Sequence, residues 1–97
     1  MAYLASVGGS LTASSTKTTV DTRKCKHLFI INDGANPVFI VLAQDTPARN
    51  TVSISDFELK AGEHMGLDSE ISDYGFIQAL FICDTGETAS VRYLGWY

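Results

Sequence analysis

The residues best equipped for chemistry are Cys25-Lys26-His27, which set a thiol and an imidazole two positions apart. In an extended strand that spacing puts both side chains on one face. Nucleophilic catalysis would need them in hydrogen-bond contact within a cleft, with a third group to orient the base. The flanking sequence contains no recognisable nucleophile motif. A packed cysteine beside a strand-end histidine is the favoured reading.

Adding His64 and Cys83 gives four sulfur and nitrogen donors, the set that tetrahedral zinc favours. Their spacing matches no compact zinc motif. Asp68, Glu70 and Asp73 resemble part of a calcium loop, but the Asp-x-Asp-x-Asp-Gly pattern is absent. Gly8-Gly9-Ser10 lacks the Gly-Lys-Ser/Thr ending of a phosphate loop. Glu58 and Glu63 flank a turn and imply no pocket. No catalytic, cofactor-binding or metal-binding residue is therefore assigned. The expectation is a protein that is not an enzyme, with no cofactor and no small-molecule substrate.

Composition points the same way. A chain of 97 residues, 45% apolar and 19% charged, describes one folded domain with a real but small core. A net charge of −4 argues against a nucleic-acid partner, which would select Lys and Arg to displace counterions. No stretch is long and apolar enough to suggest a membrane span, and Met1 to Gly9 does not read as a signal peptide. With only Cys25 and Cys83, both in apolar runs, buried free thiols are expected rather than a disulfide scaffold. Four of the seven basic residues (Lys17, Arg23, Lys24, Lys26) fall within 17–26, and six of the eleven acids (Asp56, Glu58, Glu63, Asp68, Glu70, Asp73) within 56–73. Two solvated faces, or patches that steer head-to-tail contacts between copies, both fit that separation.

The elements that must position these residues read as strands. Leu28–Ile31 and Val38–Ala43 are short apolar runs around the turn-rich Asn32–Pro37, which predicts a central β-hairpin. Phe76–Cys83 is a third such run and a central partner for it. Thr51–Leu59 alternates but slips at Ser55-Asp56, predicting a bulge or a break. Lys60–Glu63 is a turn, Met65 and Leu67 resume the alternation, and Asp68–Tyr74 is a loop or a single helical turn. Asp84–Glu87 signals a hairpin turn, after which Ala89, Val91 and Tyr93 alternate with Ser90 and Arg92. No helical stripe occurs. The fold class expected is all-β, a small antiparallel β-sandwich or jelly-roll-like barrel with an extended N-terminal arm.

Residues 1–22 form a region distinct from the domain at 23–97. Gly, Ser and Thr dominate there, with Tyr3, Leu4, Val7, Leu11 and Val20 as apolar anchors. A flexible arm that adds a strand to a neighbour, and an edge strand of its own subunit, are both open. At the other end, Trp96 is expected to close the core and Tyr97 to meet a partner, Trp and Tyr being enriched at interfaces. The interface residues expected are Tyr3, Leu4, Val7, Leu11, Trp96 and Tyr97.

The order IINDGANPVFIVLAQ, LKAGEHMGLD and FIQALFICDTGETASVRYLGWY resembles small virion β-domain proteins of tailed bacteriophages, of the capsid decoration, head-completion or tail-associated type. The resemblance rests on an Asn-rich turn before an apolar strand, an L-x-A-G-E turn, an I-x-A strand and a last strand ending in aromatics. It implies a non-enzymatic, multicopy structural subunit made in the host cytoplasm and carried in the virion. The partners implied are itself and other virion proteins, such as a major capsid or tail protein. The alternative is a carbohydrate- or receptor-binding β-module using Tyr74, Phe76, Tyr93, Trp96 and Tyr97.

Overall fold

The computed structural model describes residues 7–44, 50–69 and 75–97. Among them the chain forms strands and no helix: β1 (Val7–Ala13), β2 (Thr18–Cys25), β3 (His27–Asn32), β4 (Val38–Ala43), β5 (Phe57–Leu59), β6 (His64–Asp68), β7 (Phe76–Ile82) and β8 (Ala89–Trp96). Two four-stranded antiparallel sheets pack as a small β-sandwich, one ordered β1-β8-β3-β6 and the other β2-β7-β4-β5. Strand pairs 1–8, 2–7, 3–6 and 4–5 are those of one long antiparallel ribbon, folded at the β4–β5 connection and rolled up. That order is the jelly roll.

The rolling overturns one expectation about the centre of the chain. β3 and β4 are not a hairpin, because β3 lies between β8 and β6 while β4 lies between β7 and β5. Asn32–Pro37 is an arch from one sheet to the other. Asp84–Glu87 is an arch too, and not the hairpin turn expected: Glu87 N–H donates to the Asp84 carbonyl at 3.0 Å, but β7 and β8 lie in different sheets. Among the described strands, β4 and β5 are the consecutive pair that share a sheet. The pairing of β4 with β7 is as expected, in the register Ile40 to Phe81 and Leu42 to Ala79.

Alternation on each strand decides what is buried. Leu28 and Ile30 of β3, Val38 and Ile40 of β4, Ala79 and Phe81 of β7, and Ala89 and Val91 of β8 meet between the sheets with Cys25, Leu59, Phe76 and Cys83. Phe29 and Ile31, on the other side of β3, are only half-buried, so this strand is not apolar-covered on both faces. Residues 7–22 take the edge-strand alternative. β1 pairs along β8 from Val7 to Ala13, and β2 pairs with β7, so the boundary expected after residue 22 falls inside β2.

β2 also holds the irregularity that was expected elsewhere. Four steps from Asp21 to Cys25 face only two from Gln78 to Phe76, so two residues are extra. Arg23 and Lys24 absorb them in the left-handed region, at φ 53° and 59°. Thr22 turns inward there and donates its hydroxyl to the Phe76 carbonyl at 2.5 Å. Gly75 is required beside this bulge, since a Cβ on it would stand 2.0 Å from the Lys24 carbonyl oxygen. The slip at Ser55-Asp56 is a break: Asp56 N–H donates to the Ser53 carbonyl at 3.0 Å, and the strand starts only at Phe57.

Candidate functional site

Among the described residues, the chemically equipped side chains do not come together. Cys25 ends β2 fully buried, while His27 opens β3 on the outer side of the other sheet, so the two do not share a face as expected. Lys26, between them, donates its N–H to the Trp96 carbonyl at 3.0 Å. Cys83 is buried as well, and burial pushes both thiols up, with the Glu87 charge adding to the effect at Cys83. His64 lies at the far end of β6 from the His27 partner Asp68. Among the described residues no three His, Cys, Asp or Glu side chains converge as a ligand set. Glu70, Asp73 and Tyr74, like the interface candidates Tyr3 and Leu4, lie outside the described residues.

What the fold does assemble is an outer face on the β1-β8-β3-β6 sheet. Register places Trp96 beside His27 and His27 beside Asp68 in one row, with Leu94, Phe29 and Gly66 in the next. Arg92, Ile31 and His64 make a third row. Each row crosses three neighbouring strands about 4.8 Å apart. The His27 ring stacks on Trp96 at 5.4 Å between centroids, and its Nδ1 lies 2.6 Å from Asp68 Oδ1. Phe29 stacks on His64 at 5.5 Å. The Arg92 guanidinium pairs with Asp33 through two contacts, and that pairing holds the Asp33 carboxyl below its ordinary value of 3.8.

Trp96 is therefore a surface residue, 43% exposed, and does not close the core as expected. The alternation of β8 explains this. Ser90, Arg92, Leu94 and Trp96 share the outer side, and the inward position next to Trp96 is Gly95, against Cys25. Tyr97 is exposed beside Trp96, and its hydroxyl donates to the Arg23 carbonyl at 2.5 Å. Of the other interface candidates, Leu11 packs on the core opposite Val91 and Val7 is half-buried opposite Gly95.

A second surface lies where the sandwich is open. β5 spans three residues, so its pairing with β4 stops at Ile40 and leaves Leu42 beyond the ladder. Ile40, Leu42 and Phe57 from one sheet and Met65 and Leu67 from the other line a cleft of about 320 Å³. Phe57 is 60% exposed at its rim. Sequence reasoning missed this cleft and the Phe29–Leu94 row. The alternation of β8, carried two steps further, would have put Leu94 and Trp96 outside. The shortness of β5 had no such signal.

No family model matches the chain, and no curated protein matches it.

Proposed function

We propose that this protein is a non-enzymatic structural subunit of a tailed-bacteriophage particle, a capsid decoration or head–tail protein present in many copies and acting through protein–protein contacts. The observation that supports the reading is the outer face on which Trp96 and Leu94 are exposed beside the half-buried Phe29 and Ile31. Three strands by about five residues amount to roughly 250 Å² of surface. A patch of that size supports a weak contact repeated many times better than a tight pairwise complex. Jelly rolls also build capsid domains, which supports the reading by analogy of fold alone. Particles purified from a phage encoding this chain are expected to carry it in many copies by quantitative mass spectrometry. A chain bearing Phe29→Ser and Leu94→Lys is expected to fold and to be missing from those particles. Wild-type chain absent from the particles would overturn the proposal.

A carbohydrate- or receptor-binding β-module is the second reading, favoured by one arrangement. Trp96 is exposed in a row with His27 and the Asp68 carboxylate, an aromatic surface beside a hydrogen-bond acceptor of the kind a sugar ring can use. A glycan array separates the two: reproducible hits that vanish in Trp96→Ala favour the module, and a silent array favours the particle subunit.

A further inference from the structure

We infer that two copies of this chain join edge to edge, β1 of one pairing antiparallel with β1 of the other about Ser10. The inference goes beyond the particle reading and does not depend on it. β1 is the outermost strand of its sheet and pairs with β8 on one side. Among the described residues no backbone bond reaches its other side. The bonding order shows which groups are left over there. Asp33 N–H donates to the Ser90 carbonyl at 2.8 Å, so Ser90 and every second residue after it turn toward β3. Val91, Tyr93 and Gly95 therefore bond Leu11, Gly9 and Val7. The N–H and carbonyl groups of Gly8, Ser10 and Thr12 point out from the edge, and all three residues are exposed.

An edge of this kind takes an extended strand, and the composition of β1 selects a second β1. Strand edges are ordinarily guarded by charge, proline, a bulge or sheer shortness. The other three edges of the sandwich are guarded in these ways. β2 carries Asp21, Arg23, Lys24 and the bulge, β5 has three residues including Glu58, and β6 carries His64 and Asp68. β1, with the sequence VGGSLTA, has no charge and no proline, and its register is unbroken over seven residues. Two copies of it meet neither like charge nor bulk, whereas every other edge of the chain would bring one of those obstacles to the junction. The nearest charge inward, Arg92 opposite Ser10, is already neutralised by Asp33.

Symmetry about Ser10 uses every group left over. Ser10 faces Ser10 of the other copy, and Gly8 faces Thr12 in both directions, each pair exchanging two hydrogen bonds. The missing side chain of Gly8 and the short ones of Ser10 and Thr12 let the two backbones approach. The joined sheet has twice the four strands of one copy, and the two outer faces bearing Trp96 and Leu94 become continuous. A seven-residue edge about 24 Å long and about 10 Å deep buries roughly 250 Å² on each copy. That is well short of a standard interface, so the dimer is weak. The contact is isologous and closes at two copies.

Sedimentation velocity on the purified chain from about 10 µM to 1 mM tests this, a range set by the small contact area. The wild type is expected to form a dimer as concentration rises, and nothing larger. Ser10→Pro removes an outward N–H and no bond of the β1–β8 ladder, so that variant is expected to fold and stay monomeric. Ser10→Lys and Ser10→Glu each set like charges face to face across the axis, so each alone is expected to stay monomeric. Their equimolar mixture brings opposite charges together and is expected to dimerise. Unfolding midpoints near the wild-type value establish that the variants are folded. A wild type that stays monomeric throughout leaves the edge to a strand of another protein and overturns the inference. Wild-type species larger than a dimer overturn it too, as does a folded Ser10→Pro chain that still dimerises or a folded Lys and Glu mixture that stays monomeric. None of these outcomes depends on particle incorporation, so a chain that binds particles but fails here loses the edge contact alone.

Discussion

The Asn32 side-chain amide donates to the Leu59 carbonyl at 2.9 Å, joining the end of β3 in one sheet to the end of β5 in the other. Its second hydrogen goes to the Asn36 carbonyl at 2.9 Å, and its oxygen accepts from Gly34 N–H at 2.9 Å. Asn32 is fully buried, so these groups have no water to replace it. One side chain thus shapes the arch between the sheets and fastens the short strand beyond it.

Replacing Asn32 with Leu leaves two carbonyls and one N–H without their partner. At about 1–3 kcal/mol for an unsatisfied buried group, with partial relaxation, the loss should be about 2–4 kcal/mol in urea unfolding. Asn32→Asp should be worse at neutral pH, because a buried carboxylate would face carbonyl oxygens. The pKa of that carboxyl would be raised, so the Asp variant should regain stability as the solution is acidified. Asp and Leu variants with identical pH profiles would refute this account.

The bulge on β2 gives a steric prediction. A methyl on Gly75 cannot coexist with the Lys24 carbonyl oxygen 2.0 Å away, so Gly75→Ala must push the bulge or the start of β7 aside. The expected loss is about 1–3 kcal/mol, the usual range for overpacking. Gly86, whose φ is +78° and whose Cβ would meet nothing within 4 Å, supplies the control. Gly86→Ala should lose about 1 kcal/mol, from backbone conformation alone.

These two sites mark what the sequence could and could not disclose. Leu28, Ile30, Val38, Ile40 and Phe81 were legible as core from their short apolar runs, and Val91 from the period-two alternation of its strand. The pairing itself was not legible. A turn such as Asp84–Glu87 has the same composition whether it closes a hairpin or arches between sheets, and the difference lies in contacts far away in the chain. The β2 bulge was hidden for a related reason: Arg23 and Lys24 are not the residues usually found at positive φ. The outer face was half legible, since β8 alternates openly, but its partners Phe29 and His64 come from strands placed by the roll.

Acid stability should report on the Asp33–Arg92 pair. The folded-state pKa of Asp33 is lowered, first by the Arg92 hydrogen bond, so its stabilising effect is present above the ordinary value of 3.8 and fades as pH falls through the lower folded value. Wild type and Asp33→Asn should therefore differ in unfolding midpoint at pH 7 and draw together as the solution is acidified below 3.8. The pair is exposed and screened, so the difference should be small and should shrink in high salt. A gap that widens on acidification would contradict the assignment.

Thiol chemistry separates a packed role for the cysteines from a catalytic one. Cys25 and Cys83 are buried, with thiols pushed up by burial, so little thiolate is present or reachable at neutral pH. Neither should react with a thiol reagent at pH 7.4 over hours in the native protein, and both should react within minutes in denaturant. Fast labelling of native Cys25 would reopen a nucleophilic role for it.

The three-residue strand β5 carries two neighbours of opposite duty, which makes it the sharpest test of where structure ends and surface function begins. Leu59 is buried opposite Val38, whereas Phe57, opposite Ile40, is 60% exposed at the cleft rim. Leu59→Ala should cost about 2–4 kcal/mol, the range for a truncated core leucine. Phe57→Ser should cost less than about 1 kcal/mol, because most of that ring is already in water. Equal stability losses from the two substitutions would mean that Phe57 belongs to the core, against its 60% exposure.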